Sequence, residues 1–416
     1  MKKLLIFVLI LIACIEVLAC NLELSVSKKG KSAIQNENSL KALSENYFKL
    51  GCALTGRSES TNAINLPDYM SLVDEHFSSC TMTNLMKPDS ILSQSKSKAA
   101  YTANDNDETT APVLDFSLID STLEWCKNHN VQMRGHTLVW HKQTPGWFFC
   151  SGYESNGELV SKSVMTERLD SFIKQYMTYV QDNYPGVIYC WDVVNEAVDE
   201  STSSNTAYGD DSTAFRCRRY SEDHETPNLW YSTLGSDFPE IAFTIARKYA
   251  SEGVSLFYND YNAVYYNKRP YIYALCESLK EKGLIDGIGI QAYWGVDSSS
   301  PTEATIEYAI NYYSQLGLEI QITEWSMDAD TNKDGTCSEE ELSAQAQRYA
   351  DLLNLLQNLD TYGGGKANIT CVSFFGLVDN YPLYDNNTDT ARLFFSNYEP
   401  KPVFYSVQNV LKNNYK

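Results

Sequence analysis

The chain has 416 residues, 43% of them hydrophobic and 12% aromatic, which is typical of a globular protein with one large domain or two ordinary ones. Its formal net charge of −20 and isoelectric point near 4.7 argue against binding to nucleic acid or to anionic membrane surfaces. A neutral polymer is compatible with this charge, and the 29 tyrosines offer aromatic surfaces suited to a sugar-binding cleft.

The N-terminus is predicted to be a targeting segment. Lys2 and Lys3 precede an apolar run at residues 4–15, and small residues before Cys20 offer a cleavage site. The apolar run is too short to span a membrane comfortably. The sequences that end at Cys14 and Cys20 also resemble bacterial lipoprotein boxes. We therefore expect an exported protein, with free secretion and a cell-surface lipid anchor both open.

The rest of the chain is predicted to form one folded unit. Polar residues follow the targeting segment, and no internal linker interrupts the pattern after them. The predicted organisation is a signal peptide at 1–19, a polar tether at 20–44 and a single domain at 45–416.

Eleven cysteines are a high count for this length. Four lie in apolar runs and are predicted to be buried thiols: Cys52, Cys80, Cys190 and Cys371. Cys150 and Cys217 lie in polar loops and are the better candidates for disulfides if the protein is exported. No cysteine pair has metal-binding spacing, so a zinc site is not expected.

From residue 50 onward, short apolar runs alternate with longer helical patterns. Strands are predicted at residues 51–54, 77–82, 131–137, 187–194, 254–259, 287–291, 319–323 and 371–375. Helices are predicted at residues 118–128, 165–183, 229–252, 270–281, 303–316 and 339–359. Eight strands alternating with helices predict an α/β fold, a (β/α)8 barrel in a single catalytic domain. A doubly wound sheet is the alternative, although no glycine-rich phosphate loop follows the first strand.

Polar side chains suited to binding a sugar follow nearly every predicted strand. They are Asn84, Lys87, His136, Asn195, Glu196, Asn259, Asp260, Gln291 and Glu324. In a (β/α)8 barrel, the C-terminal ends of the strands open onto the face that carries the active site. The sequence therefore predicts a sugar-binding cleft on that face.

Glu196 and Glu324 end the fourth and seventh predicted strands, which we expect to lie on opposite sides of the barrel. Retaining glycosidases use two carboxyl groups about 5–5.5 Å apart. One attacks the anomeric carbon, while the other protonates the leaving oxygen and then activates water. We expect burial near a second carboxylate to keep the acid protonated near neutral pH.

Five motifs extend this interpretation: R-G-H-T-L-V-W-H at 134–141, W-D-V-V-N-E-A at 191–197, Y-N-D-Y-N at 258–262, G-I-G-I-Q at 287–291 and I-T-E at 322–324. Together they resemble glycoside hydrolase family 10, from about residue 45 to the C-terminus. That family comprises mainly endo-β-1,4-xylanases with a (β/α)8 fold and a retaining mechanism. The resemblance implies that Glu196 is the general acid/base and Glu324 the nucleophile, with Asn195 bound to the sugar hydroxyl beside the cleaved bond.

The same resemblance implies a set of substrate-binding residues. Those that match positions on the glycone side of the cleft are Asn84, Lys87, His136, Trp140, Gln143 and Gln291. A core tryptophan and a surface glutamine are the alternative interpretations of Trp140 and Gln143. The expected function is endo-hydrolysis of xylan by a monomer without a catalytic cofactor, nucleic-acid partner or transmembrane segment. The alternatives are a hydrolase of another or decorated β-1,4-glycan, and a non-catalytic glycan-binding protein on the same scaffold.

Several residues depart from the family pattern, among them Leu383 or Tyr384 in place of a second tryptophan near the last motif. Thr83 replaces a glutamate, Tyr293 a histidine, Ser326 an aspartate and Phe375 a tryptophan. The family's histidine, aspartate and nucleophile form one hydrogen-bonded chain. Their joint replacement predicts that Tyr293 donates a hydrogen bond to Glu324, backed by Ser326. We expect retained activity with an altered pH profile, Tyr293 and Phe375 in the substrate site, and weaker glycone binding.

Residues 330–341 match the D-x-[DN]-x-[DN]-G-x5-E pattern of an EF-hand loop. The predicted calcium ligands are Asp330, Asn332, Asp334, the Thr336 carbonyl, Ser338 through water and Glu341, with Gly335 at the sharp turn. A helix is predicted after this loop, but none precedes it. The alternative is an acidic loop without an ion, and a bound ion would be structural rather than catalytic.

Overall fold

The computed structural model describes residues 36–200, 208–381 and 389–413. The predicted signal peptide at 1–19, with Cys14 and Cys20, lies outside the described residues. No helix in the described part of the chain is long and apolar enough to cross a bilayer.

Eight parallel strands form a closed barrel, which confirms the predicted fold. In chain order the strands are β1 (Lys49–Leu54), β2 (Ser79–Met82), β3 (Gln132–Trp140), β4 (Ile188–Asn195), β7 (Ser255–Asp260), β8 (Gly287–Ile290), β9 (Glu319–Trp325) and β10 (Asn368–Phe374). Around the barrel they run β1-β10-β9-β8-β7-β4-β3-β2. Strand β4 is buried along nearly its whole length on both faces, as its unbroken apolar run predicts.

Helices surround the barrel on its outer side. They span Leu40–Ser44, Pro67–His76, Pro88–Ile91, Gln94–Ala103, Asp120–His129, Lys162–Asn183, Leu229–Leu234, Phe238–Tyr249, Arg269–Glu281, Glu303–Ser314, Glu339–Leu359 and Pro402–Asn413. Helix Lys162–Asn183 shows why they form. The Ser161 side chain caps its first turn, and residues three or four apart are buried along one side, among them Leu169, Phe172 and Tyr176.

The structure differs from the prediction at several elements. The helix predicted at 229–252 is two helices, because Gly235 takes a positive φ of 78° and ends the first. Helices Pro67–His76, Gln94–Ala103 and Pro402–Asn413 were not predicted. A two-stranded antiparallel hairpin, β5 (Gly209–Asp210) and β6 (Cys217–Arg218), is inserted after β4.

The two ends of the described chain pack together. Helix Leu40–Ser44 has Leu40 fully buried, and the Gln408 side chain of the last helix donates to the Asn38 carbonyl. The folded unit therefore includes residues that were predicted to belong to the polar tether.

The disulfide candidates predicted from the sequence are wrong for the described residues, where every cysteine is a free thiol. Cys217 is fully buried on β6, and the Cys150 Sγ donates to the Gly146 carbonyl at 3.3 Å. Their polar neighbours suggested exposed loops, but both loops pack onto the barrel. Cys52, Cys80, Cys190 and Cys371 are buried, as predicted.

Candidate active site

Three adjoining pockets form a cleft over the C-terminal ends of the strands. The central pocket, about 280 Å³, contains both glutamates, and its lining includes His136, Trp140, Asn195, Gln291, Tyr293 and Phe375. The outer pocket, about 320 Å³, shares Trp140, Glu196, Gln291 and Tyr293 with it. The distal pocket, about 240 Å³, shares Thr83, Lys87 and Phe375 with it instead. The central pocket therefore lies between the other two.

Glu196 lies where the chain leaves β4. Its backbone takes a positive φ of 57°, and its N–H donates to the Asn259 carbonyl at 2.9 Å. Its carboxylate accepts hydrogen bonds from the Trp140 indole and from the Gln291 amide, both at 2.9 Å. Both oxygens thus have a donor, and the side chain is fixed at the boundary of the central and outer pockets.

Glu324 lies near the end of β9 and also has a donor on each oxygen. The Asn259 amide donates to one at 3.1 Å, and the Tyr293 hydroxyl donates to the other at 2.6 Å. The Tyr293 contact is the one predicted from the sequence. Ser326 does not back it, because the Ser326 hydroxyl accepts instead from Arg392 at 2.9 Å.

Side-chain amides connect the two glutamates. The Asn195 Oδ1 accepts from the Asn259 amide at 2.9 Å and from the Gln291 amide at 3.2 Å. The Asn259 amide also donates to Glu324, and the Gln291 amide also donates to Glu196. Since the Asn195 carbonyl is occupied, its NH₂ group is the part available to donate to a substrate hydroxyl. Only strands β7 and β8 separate β4 from β9, so the glutamates lie three strands apart rather than on opposite sides of the barrel.

The ionisation of Glu196 differs from the expectation. Burial raises its pKa, but the charge of His141, the Gln291 hydrogen bond and the charges of Lys268 and Arg218 outweigh burial, so the pKa lies below its ordinary value. The expectation that burial keeps Glu196 protonated near neutral pH is therefore wrong for the substrate-free site. The proton must be stabilised once a sugar excludes water from the cleft.

The predicted glycone-side residues are linked to one another. The Lys87 ammonium lies 4.4 Å from the Trp140 ring centre and donates to the Gln143 carbonyl at 2.8 Å, while the Gln143 amide donates to Asn84 at 3.3 Å. Gln143 does not line any of the three pockets. Its side-chain carbonyl instead holds the Lys87 ammonium in position. Asn84 lines the distal pocket, and burial lowers the Lys87 pKa to about 8. Trp140 lines the cleft and is not a core residue.

A buried ion pair under the central pocket was not predicted. Arg134 on β3 and Asp192 on β4 are fully buried and form two parallel hydrogen bonds, and Asp192 also holds the His136 Nδ1 at 2.8 Å. His136 therefore turns its other ring nitrogen toward the pocket. A lone aspartate inside an apolar strand, beside an arginine in the neighbouring motif, is the sequence signal for such a pair.

The outer pocket contains residues that the sequence did not suggest. Glu222, in the loop after β6, lies 3.2 Å from the His141 Nε2 and 2.6 Å from the Lys142 ammonium. Among the described residues, the one group of three side chains able to hold a metal ion is His141, Glu196 and Glu222. Because Lys142 and Arg218 also lie against Glu222, its charge is already compensated.

The carboxylates of the loop predicted to bind calcium accept hydrogen bonds from nearby residues. Asp330 is buried, and its carboxylate accepts from the backbone N–H groups of Asp334 and Gly335 at 3.1 and 2.8 Å. Glu341 accepts from the Ser338 N–H and hydroxyl at 3.0 Å and caps helix Glu339–Leu359. The Asn332 amide also donates to Glu341 at 3.1 Å, so the loop is held together by its own polar groups.

The sequence is similar to a known enzyme family and to several of its members. The family model for glycosyl hydrolase family 10 matches residues 39–410. A putative endo-1,4-beta-xylanase from Caldicellulosiruptor saccharolyticus is 41% identical, over 74% of this chain and 93% of its own length. Endo-1,4-beta-xylanase B from Butyrivibrio fibrisolvens is 37% identical, over 88% of this chain and 52% of its own length. The chain thus spans about half of this second relative.

Solved structures show the same similarity. The CBM22-1 and GH10 modules of an endo-1,4-beta-D-xylanase from Clostridium thermocellum, complexed with xylohexaose, align with a TM-score of 0.78 at 32% identity. The alignment covers 92% of this chain and 69% of that one. An endo-1,4-beta-xylanase from Caldicellulosiruptor owensensis aligns with a TM-score of 0.67 at 32% identity, over 89% of this chain and 99% of that one.

Proposed function

Since the chain belongs to glycosyl hydrolase family 10, we propose that its cleft cleaves internal β-1,4-xylosidic bonds of xylan with retention of configuration. The observation that carries the proposal is the pair Glu196 and Glu324. Both end barrel strands, both line the central pocket, and each is oriented by two donors. Retaining glycosidases need two carboxyl groups in such an arrangement.

In the first step Glu324 attacks the anomeric carbon from the central pocket, and Glu196 protonates the leaving oxygen. In the second step Glu196 takes a proton from water, which attacks the same carbon and releases the sugar from Glu324. Glu196 suits the acid/base role because it lies between the central and outer pockets, where the bond is broken. The Asn195 NH₂ group is placed to donate to the hydroxyl beside that bond.

Release of reducing sugar from xylan, β-glucan and mannan tests both activity and substrate. We expect release from xylan well above the other two polymers, and none from xylan by Glu324→Ala. Faster release from glucan or mannan would move the assignment to another β-1,4-glycan. Binding to xylan without any release would instead favour a glycan-binding protein.

Tyr293→Phe is expected to reduce kcat about tenfold, because Glu324 loses a hydrogen bond made to its charged form, worth about 1.5–3 kcal/mol and weaker where water reaches it. The Tyr293 side chain is 50% exposed, but its hydroxyl lies against Glu324 in the cleft. Desolvation of the hydroxyl and the Glu324 charge raise its pKa well above the usual value, so it donates across the neutral range. Without this donor, the acidic limb of the kcat/KM profile should move to higher pH.

Tyr265→Phe is the matched control, since Tyr265 lines the outer pocket and no hydrogen bond to either glutamate is seen among the described residues. Its acidic limb should stay at the wild-type pH. Unchanged activity and an unchanged profile in Tyr293→Phe would overturn the role given to its hydroxyl.

A calcium ion at residues 330–341 stays a prediction from the sequence spacing. Asp330 and Glu341 accept from backbone amides, and the other lone pairs of their carboxylates are the ones that would coordinate an ion. Calcium at a hundred times its Kd should raise the melting temperature by about 3 °C, and EDTA should reverse the rise. An unchanged melting temperature in calorimetry would remove the site.

Export is proposed from the sequence of residues 1–19, either as a secreted protein or as a cell-surface lipoprotein. Action as a monomer stays a proposal, and size-exclusion chromatography with light scattering would test it. Fractionation of expressing cells, with Cys14→Ala and Cys20→Ala, would separate free secretion from lipid anchoring.

A further inference from the structure

The distal pocket contains more positive charge than the reaction at Glu324 requires. Among the described residues that line it, three are cationic, Arg57, Lys87 and Arg392, and one, Asp389, is a carboxylate. Asp389 pairs with Arg392. Within the described residues, no carboxylate lies at ion-pairing distance from Arg57 or Lys87. In a chain with a net charge of −20, a pocket with two unpaired cations is suited to an anionic ligand.

The cations of this pocket come from different segments of the chain. The Arg392 guanidinium is held by the Ser326 hydroxyl at 2.9 Å and lies 5.6 Å from the Phe375 ring centre, so an aromatic surface adjoins a fixed cation. Arg57, in the loop after β1, is exposed. Its charge contributes to the lowered pKa of Lys87, which indicates that the two cations lie within electrostatic reach.

The order of the pockets shows which part of a substrate reaches this site. The sugar attacked by Glu324 occupies the central pocket, and Glu196 protonates the leaving oxygen at the boundary with the outer pocket. The outer pocket therefore receives the leaving group. The distal pocket adjoins the central pocket on the other side, through Thr83, Lys87 and Phe375, and receives the glycone.

We propose that the distal pocket binds a carboxylate on the glycone part of the substrate, carried by a uronic acid substituent on the β-1,4-linked backbone. The Arg57 guanidinium donates to this carboxylate, and Arg392 adds its remaining N–H groups while it keeps its contacts to Asp389 and Ser326. The inference rests on the proposed function, because the backbone must pass through the central pocket. A neutral backbone alone would leave the exposed Arg57 guanidinium to water. Within the described residues, the Arg57 side chain makes no hydrogen bond or ion pair. We therefore assign to Arg57 the specificity for the acidic substituent.

Three xylo-oligosaccharides of equal length test the proposal: one with a single uronic acid substituent, the same compound with its carboxyl reduced to a hydroxymethyl group, and the unsubstituted chain. At low ionic strength we expect kcat/KM for the acid to exceed that for its reduced form about fivefold. The ratio should approach one in 0.5 M NaCl, because salt screens the attraction. The substituted residue should remain in the product that carries the new reducing end.

Arg57→Ala should lower the acid-to-reduced ratio to near one, and Arg57→Lys should keep part of it. Lys142→Ala removes an equal charge from the outer pocket and should leave the ratio as it is in the wild type. A ratio of one in the wild type at low salt, or a ratio unaffected by Arg57→Ala, would overturn the proposal. A uronate oligomer without the β-1,4-linked backbone is a further control. If it inhibited hydrolysis as strongly as the substituted xylo-oligosaccharide binds, the proposal would be overturned, since the pocket would then bind any anion.

Calorimetric binding to Glu324→Ala separates this proposal from the function on which it rests. If the wild type hydrolyses none of the three compounds, the proposed function fails. Tighter binding of the acid than of its reduced form would still support the distal pocket, and equal Kd values would contradict it.

Discussion

Replacing Glu324 with alanine is expected to lower kcat on xylan about 10⁴-fold or more, because the covalent intermediate can no longer form. Glu319→Gln is the matched control, since Glu319 lies at the opposite end of the same strand and accepts from Ser255 and Thr370. It should keep most of the wild-type rate. A Glu324→Ala variant that retains a tenth of the activity would exclude Glu324 as the nucleophile.

Glu196→Ala distinguishes the two roles. A leaving group that needs no protonation, such as a nitrophenolate, should still be expelled by this variant, and an added small anion such as azide should take the place of water in the second step. The loss of kcat/KM should therefore be large on xylan and small on the aryl glycoside. Equal losses on both substrates would contradict the acid/base assignment.

Replacing Asp192 with alanine is expected to lower the free energy of unfolding by about 3–5 kcal/mol, because Arg134 would stay buried without its counter-charge. His136 would also lose its anchor at Nδ1. Chemical denaturation followed by circular dichroism measures the loss. Glu154→Gln, which breaks the exposed pair with Lys98, should cost less than about 1 kcal/mol. Equal effects of the two variants would contradict the role assigned to the buried pair.

The same pair implies a pH dependence. Burial raises the pKa of Asp192, but the Arg134 charge and the His136 hydrogen bond outweigh burial and hold it below its ordinary value. The stability from Asp192 is therefore fully present above about pH 4, near the unfolded pKa, and is lost as the pH falls through the folded pKa. In Asp192→Ala, unfolding should depend less on pH in this acid range.

The barrel and both glutamates were predictable because they depend on local patterns. Parallel strands buried on two faces appear as unbroken apolar runs, and a polar residue just after such a run, as at Glu196, must lie at the barrel mouth. Helix Pro67–His76 was less visible, since it is short and its buried side consists of four residues, Tyr69, Met70, Val73 and His76. The pattern favours long helices over such short ones.

Contacts between distant parts of the chain were not predictable in this way. Arg392 contacts Ser326 from 66 residues away along the chain. Arg392 belongs to none of the sequence motifs, so its role could not be predicted. Glu222 reaches His141 only because the hairpin after β4 folds back over the cleft. The pKa of Glu196 depends on four neighbours from separate segments. Burial and a second carboxylate were the only influences visible in the sequence, so the predicted direction of the pKa shift was wrong.

The most direct test of the proposed mechanism is the configuration of the first product, followed by proton NMR during hydrolysis of a xylo-oligosaccharide. Attack by Glu324 and then by water inverts the anomeric carbon twice, so the β-anomer should appear first and the α-anomer only later, through mutarotation. Initial formation of the α-anomer would mean that water attacks directly, and would contradict the nucleophilic role of Glu324.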